Sequence, residues 1–201
     1  MAHQKIVQQF KHGDVTVKIR QDQYPDSPRE WDNLGTMLCA HGQYELGDKW
    51  PDHLQSFSKS RLQYLLKRIL KTEGPIISST LWLYDHSGLR IAAGPENPFT
   101  CPWDSGCVGL IYVPLKKVRE EWGMKRVSAK LKRQVIHNLL VEVETYDDYL
   151  NDNVYGYILE NFKGDHLDSC WGFYGLDHCI SQAKESAAHF GTPSLLEGVE
   201  A

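Results

Sequence analysis

Alternating apolar and polar residues predict strands near both ends of the chain. Val15, Val17 and Ile19 alternate with polar neighbours, as in a strand with one buried and one solvated face. The turn residues 12–14 come directly before this strand, so the segment 4–21 is predicted to form a β-hairpin. Further strands are predicted at 34–40, 154–162 and 169–173.

The strongest strand signals lie between Trp82 and Val113, and this stretch is predicted to organise the fold. Residues 82–91 have the pattern of a hairpin, and its turn at 85–88 consists of Asp, His, Ser and Gly. Asp and Ser accept local backbone hydrogen bonds, and Gly tolerates positive φ. The run 108–113 is almost wholly apolar, as in a buried strand.

A long loop is predicted at residues 94–106, between these strands. It contains three prolines, which cannot donate hydrogen bonds to a sheet, and it is longer than most connections. Loops of this length on a rigid sheet often carry function. The alternative is a self-packed Ω-loop in which Phe99 and Trp103 turn inward.

Apolar residues at helical spacing predict two long helices and two shorter ones. Each long helix combines a buried stripe with a charged or polar face. Polar caps and glycines set the predicted ends. The predicted bounds are 52–74, 115–122, 128–150 and 177–190, with Asp52, Ser128 and Asp177 as N-caps and Pro114 in the first turn of the second helix.

The order of the predicted elements is strands, helix, strands, helices, strands, helix. This order has no regular alternation, repeat or linker, and it favours an α+β fold with a mixed, largely antiparallel sheet packed against four helices. With 41% hydrophobic residues, the chain of 201 residues has enough apolar material for a core. Residues 1–191 are therefore predicted to form a single domain, and 192–201 a flexible tail.

Composition indicates the cellular compartment in which the protein is expected to act. No apolar run approaches the length of about 18 residues that a membrane span needs, so no membrane contact is predicted. The N-terminus lacks the apolar core of a secretory signal. Five cysteines at irregular spacing argue against a disulfide framework and for a reducing compartment. The predicted location is therefore the cytoplasm.

Acidic residues in the predicted turns are the first candidates for chemistry. If the fold gathers Asp32, Asp85 and Asp104, their carboxylates could hold a divalent cation such as Mg²⁺ or Ca²⁺. No EF-hand loop is present, and turn acids more often act as caps and in Asx-turns. No cofactor besides this metal is predicted. The turn acids are Asp26, Glu30, Asp32, Asp48, Asp85, Asp104 and Asp168.

Cysteine and histidine offer a second possible metal site. Cys39 and His41 are two residues apart on a predicted strand, so their side chains face the same side. Together with Cys101 and Cys107 they could bind zinc, although neither pair has the CxxC spacing of structural zinc sites. Buried free cysteine is the commoner arrangement.

No catalytic residue is predicted. Ser105, Cys107 and Cys170 are conceivable nucleophiles, but the chain contains no GxSxG elbow and no cysteine-hydrolase signature. An active thiolate also needs an electropositive neighbour, which a sequence does not show. The glycine motifs that bind nucleotides are absent as well.

Charge is unevenly distributed along a chain whose net charge is −4. Lysines and arginines cluster in residues 116–133, whereas residues 142–168 are mainly acidic. The basic segment could bind nucleic acid or an acidic protein face, and the acidic segment could occupy the basic groove of a nuclease. The commoner explanation for such charge runs is that both segments are solvated helix faces. The basic candidates for partner binding are Lys116, Lys117, Lys130 and Arg133.

The six tryptophans include several in predicted polar loops. Trp31, Trp50 and Trp103 are candidate anchors for a partner, because exposed tryptophan in loops is favoured at interfaces. Trp82 and Trp171 lie on predicted strands, where they are expected to cover a small core.

Four sequence blocks resemble a family of small proteins encoded by bacteriophages and mobile elements. The blocks are SPREWDNLG, YDHSG, CPWDSG and DSCWGFYG, and they are scattered over most of the chain. The family has no established activity, so the resemblance assigns no site residue. It implies a setting, namely an accessory protein made inside an infected or plasmid-bearing host cell.

Three functions are compatible with these observations. The setting favours an anti-defence protein that binds and inhibits a host protein, such as a CRISPR or other nuclease complex, through the loops 24–33, 41–50 and 94–106. The first alternative is a metal-dependent enzyme acting on nucleic acid or nucleotides through its turn acids. The second is a nucleic-acid-binding module that uses residues 116–133.

Overall fold

A computed structural model describes residues 5–48 and 59–190. The described residues contain eight strands, four α-helices and a short 3₁₀ helix at Pro28–Glu30. In chain order the elements are β1 (Ile6–His12), β2 (Val15–Gln21), β3 (Thr36–Cys39), α1 (Lys59–Thr72), β4 (Ile76–Asp85), β5 (Leu89–Ala93), β6 (Ser105–Pro114), α2 (Leu115–Glu121), α3 (Ala129–Leu150), β7 (Val154–Glu160), β8 (His166–Tyr174) and α4 (Leu176–Phe190).

The chain divides into two compact units, and the predicted α+β class is confirmed. The first unit combines Met1–Asp26 with Asp152–Ala201, and the second is Ser27–Asn151. Among the described residues, every strand pairing is antiparallel, and the strands form two four-stranded sheets instead of the one sheet predicted. The prediction of a single domain over 1–191 stays a prediction.

In the first unit, helix α4 packs on one face of a sheet with strand order β1-β2-β7-β8. The alternation in β2 has the predicted effect, because Val15, Val17 and Ile19 are buried against the helix. Small residues on the helix, Ala183 and Ala187, are fully buried and let it lie close to the sheet.

In the second unit, both faces of a sheet with order β3-β6-β4-β5 receive helices. Leu131, Val135, Leu139, Val143 and Tyr146 of α3 pack on one face. Leu65 and Ile69 of α1 pack on the other face, against alternate residues of β3 and β6. This double coverage explains why β6 is almost wholly apolar.

A glycine allows β3 to lie close to β6. A Cβ atom at Gly109 would lie 1.8 Å from the carbonyl oxygen of Leu38, a distance that no side chain permits. Glycine is therefore required at this point of the paired strands.

The predicted element bounds need several corrections. Pro114 is the N-cap of α2 and does not lie in its first turn. Helix α4 begins at Leu176, so Asp177 lies in the first turn, where its charge favours the helix dipole, instead of capping it. Strands β4, β6 and β8 begin earlier than predicted, since pairing with neighbouring strands extends them beyond their apolar runs. Asp52, Trp50 and the tail 192–201 lie outside the described residues.

Candidate functional site

A cavity of about 300 Å³ opens in the second unit where the 94–106 loop enters β6. Asp85 at the end of β4 and His41 just after β3 form part of its wall. We call it the loop cavity. Its lining residues are His41, Leu83, Asp85, Trp103, Asp104, Ser105, Gly106 and Val108.

Hydrogen bonds within the 94–106 loop fix its shape. The Ser105 hydroxyl donates to the carbonyl oxygen of Cys101 at 2.5 Å and accepts from the Asn97 amide at 2.9 Å. The Asn97 side chain also accepts from the backbone N–H of Phe99 at 3.0 Å. The backbone N–H of Asp85 donates to the carbonyl oxygen of Asp104 at 2.8 Å, which joins the loop to β4.

The two aromatic residues of this loop have different environments. Phe99 packs on Tyr84 with ring centroids 5.8 Å apart, as the self-packed alternative predicted. Trp103 does not turn inward, and 92% of it is exposed to solvent. The loop is therefore both self-packed and able to present a large apolar side chain.

Two aspartate–histidine pairs border the loop cavity. Nε2 of His41 lies 3.8 Å from Oδ2 of Asp85, and Nδ1 of His86 lies 3.6 Å from Oδ2 of Asp104. The Cys101 thiol also donates to Oδ2 of Asp104, at 3.0 Å. These pairings could not be predicted from the sequence, because the contacts connect three separate segments of the chain.

The three predicted metal-binding acids are not all part of this cavity. Asp85 and Asp104 both line it, but its lining does not include Asp32, which is exposed after the 3₁₀ helix. Within residues 5–48 and 59–190, no group of three or more His, Cys, Asp or Glu is arranged to hold a metal ion. The structure therefore does not bring Asp32 to this cavity with Asp85 and Asp104, and metal binding by these acids stays a prediction.

The cysteine candidates are divided among different environments. Cys39 packs in the core of the second unit, and burial raises the pKa of its thiol to about 12. His41 lines the loop cavity instead, so the predicted zinc grouping is not formed in the described chain. Burial also raises the pKa of Cys107. A thiol of raised pKa holds little thiolate at neutral pH, which argues against Cys107 as a nucleophile.

The basic segment is only partly available to a partner. Lys117 donates to the carbonyl oxygen of Asn33 at 2.6 Å and is half-buried. Lys116 is exposed and lies 4.0 Å from Glu120. Lys130 and Arg133 are exposed on α3. Binding of nucleic acid by residues 116–133 stays a prediction.

Several conspicuous acids of the second unit stabilise the fold. Arg29, whose side chain is only 5% exposed, makes two hydrogen bonds of 2.9 Å to Asp48 and one of 3.2 Å to Glu142. It also donates to the carbonyl oxygen of Gly35 at 2.8 Å. Burial alone would lower the pKa of Arg29, but the two carboxylates offset this effect and raise it. We call these residues the Arg29 network.

The role of Arg29 could not be predicted from the sequence. The residue stands in the SPREWDNLG block, but nothing in its neighbours indicates partners 19 and 113 positions away.

Trp31, which was predicted as an anchor for a partner, lies two residues after Arg29 and is 49% exposed.

No family model, curated protein or solved structure matches the chain. The resemblance to phage-encoded proteins therefore stays a prediction. None of the helices in the described residues is both long and apolar enough to span a bilayer.

Proposed function

We propose that this protein binds a partner protein through the 94–106 loop, with Trp103 as the anchor and the loop cavity as the pocket for a basic side chain. In the setting that the resemblance implies, the partner is a host defence protein, such as a CRISPR or other nuclease complex, and binding inhibits it. The observation that supports this proposal best is Trp103, 92% exposed on a loop fixed by internal hydrogen bonds.

An exposed tryptophan on a fixed loop is suited to binding. Burial of the indole removes a large apolar area from water, and tryptophan is enriched among the residues that dominate interface energies. The hydrogen bonds of Ser105 and Asn97 already hold the loop in one conformation. Binding therefore loses little conformational entropy in this loop.

The charge beside Trp103 favours a basic partner. Asp85 and Asp104 each place a half-buried carboxylate at the cavity, with side chains 31% and 32% exposed. A lysine or arginine of the partner can enter between them while its aliphatic stem packs on the indole. Nuclease surfaces that bind nucleic acid are rich in such cations.

The first experiment compares variants in a binding assay. Tagged wild-type protein and the variants Trp103→Ala and Asp85→Asn/Asp104→Asn are used to capture a partner from host lysate, and affinities are then measured with the purified partner. We expect Trp103→Ala to weaken binding by roughly 30-fold or more, as for an interface hot spot. Phe162→Ala is the matched control, because Phe162 is also an exposed aromatic, 79% accessible, but in a turn of the first unit.

The second experiment tests inhibition in cells. A plasmid targeted by a host nuclease system should survive when wild-type protein or Phe162→Ala is expressed, and should be lost with Trp103→Ala. A partner that binds all the variants equally would contradict the proposed surface. Plasmid loss with every variant, despite binding, would contradict the inhibitory role.

A further inference from the structure

We propose that the face of the first unit's sheet opposite α4 binds single-stranded nucleic acid, with one base stacked on Trp171 and phosphates held by Arg20, Lys18 and Lys11. This site is distinct from the 94–106 loop and does not depend on its role. Three observations support it. They are the cations that share this face, the position of the Trp171 indole over Gly156, and the Nε atom of Arg20, which lacks a hydrogen-bond partner among the described residues.

Strand register places the cations together on this face. Val15, Val17 and Ile19 point to α4, so the alternate residues Lys18 and Arg20 point the other way. The pairings across the sheet extend this face into three rows. The rows are Ile6–Arg20–Gly156, Gln9–Lys18–Ile158–Ser169 and Lys11–Thr16–Glu160–His166.

Charge on this face is mainly positive, although the whole chain has a net charge of −4. Within the four described strands, Lys11, Lys18 and Arg20 are opposed on this face by one acid, Glu160, which pairs with Lys18 at 2.6 Å. His166 is exposed and is paired with Glu160 across the strands. The other acid of these strands, Asp168, accepts hydrogen bonds from Tyr157 and Ser186 on the α4 side. The segregation of charge suits a polyanion.

Trp171 provides a flat apolar platform within this positive face. A Cβ atom at Gly156 would lie 2.2 Å from the Trp171 ring, so the indole lies over the glycine backbone. Gly156 is paired with Arg20, which places Arg20 on the neighbouring strand and on the same face of the sheet as the indole. The indole is still 39% exposed. Bases stack on tryptophan platforms of this kind, on the surfaces of sheets whose cations hold the phosphates.

The Arg20 guanidinium has a hydrogen-bond donor that is not used within the described part of the chain. Its Nε is buried, and among the described residues it has no hydrogen-bond partner. Buried polar atoms are generally satisfied, so an unsatisfied one at a positive surface calls for an acceptor. Because Nε itself is covered, a phosphate oxygen beside Trp171 supplies that acceptor only when the Arg20 side chain turns outward on binding. The same geometry disfavours duplex, because the bases of a duplex are not free to stack on a protein side chain.

Fluorescence anisotropy with labelled single strands tests the proposal. The probes are oligo-dT and oligo-rU of about 16 nucleotides, a length that covers one sheet-sized site. We expect Trp171→Leu to weaken binding about tenfold, as for the loss of one stacked base. Arg20→Gln should reduce the slope of log affinity against log salt by about 0.7, the value for one phosphate contact on a single strand.

Two controls make the outcome specific. Lys184→Gln removes a cation that lies over Phe10, a residue packed against the core on the α4 side, and should leave binding unchanged. Trp103→Ala should leave it unchanged too, which separates this site from the proposed protein-binding loop. Circular dichroism verifies that each variant is folded.

Three results would overturn the proposal. One is duplex or heparin binding as tight as that of the single strands. The second is a Trp171→Leu protein that is folded and binds as well as wild type. The third is a loss of affinity in Lys184→Gln equal to that in Arg20→Gln.

Discussion

The two units use their charged residues in different ways. In the second unit, carboxylates bond to backbone groups at both edges of the sheet. Asp48 accepts the N–H of Met37 in β3 at 2.7 Å, and Asp147 accepts the N–H of Ile91 in β5 at 2.7 Å. In the first unit, the cations of the strands lie on a sheet face and point away from the helix.

This difference shows how irregular segments are fixed. The second unit contains most of the long stretch before β3, from Ser27 onward, and the loop between β5 and β6, and these segments have few ladder hydrogen bonds of their own. Side chains such as Arg29, Asp48 and Glu142 replace those bonds. Exposed edge groups capped in this way also cannot pair with another chain. The first unit is built from hairpins and a helix, so alternation alone fixes it.

The difference between the two units can be tested through their buried cysteines, because each unit contains one buried thiol that can report on its unfolding. Burial raises the pKa of both Cys39 in the second unit and Cys179 in the first to about 12, from an ordinary value of 9.0. At about pH 8 each therefore holds much less thiolate than an ordinary thiol. We expect Cys170, which is exposed, to react first with a thiol reagent, and Cys39 and Cys179 to react only on unfolding.

Thiol labelling in increasing urea then reports on each unit separately. We expect Cys179 to be labelled at lower urea than Cys39, since the Arg29 network stabilises only the second unit. Peptide mapping identifies the labelled residue, and Cys→Ser variants provide the control. Coincident labelling curves would contradict this order and would support one cooperative domain over 1–191.

Removal of Arg29 should have the next largest effect. Arg29→Met leaves two partly buried carboxylates without their cation and should lower the free energy of unfolding by about 3 kcal/mol. Arg90→Met is the matched control, because Arg90 also bonds an aspartate, at 2.9 Å, but its side chain is 56% exposed. That change should cost less than about 1 kcal/mol. Urea unfolding followed by tryptophan fluorescence measures both, and equal losses would argue against the network.

The smallest effect is expected at Asp168 in the first unit. Hydrogen bonds from Ser186, then from the backbone of Ser169 and from Tyr157, hold the pKa of this carboxyl below its usual value. A lowered pKa stabilises the fold above the unfolded pKa, and this contribution disappears as pH falls through the folded one. Ser186→Ala should raise the pKa and cost under about 0.5 kcal/mol at neutral pH, since the group is solvated.

Titration of the Asp168 carboxyl by NMR measures this change. Wild type and Ser186→Ala should differ in stability at neutral pH and converge in acid. A carboxyl that titrates identically in the two proteins would show that Ser186 does not stabilise the charged form.

Local chemistry made much of the fold predictable. Ser128 caps α3 with a hydrogen bond of 3.2 Å to the N–H of Leu131, and α3 ends at Leu150 as its apolar stripe predicted. The hairpin of β4 and β5, with its turn at Asp85–Gly88, was equally readable. In each case the signal lies within a few residues, because caps and turns depend on neighbouring backbone groups.

The candidate sites were less predictable. Asp85 and Asp104 were identified as chemically interesting, but their partners His41 and His86 were not. Asp32 has the same local setting in the sequence and yet does not line the cavity. Local turn signals identify polar residues of interest, but they do not indicate which of these residues lie close together in the folded chain.

By itself, the sequence determined the α+β class, most of the elements and the buried face of β2. Only the tertiary structure decided that the strands form two sheets, that Arg29 joins Asp48 to Glu142, and that Trp171 lies over Gly156 beside Arg20. The physical reason is the separation along the chain between the residues that interact. Periodicity and caps are set by neighbours along the chain, whereas a contact between distant residues depends on how every intervening element packs.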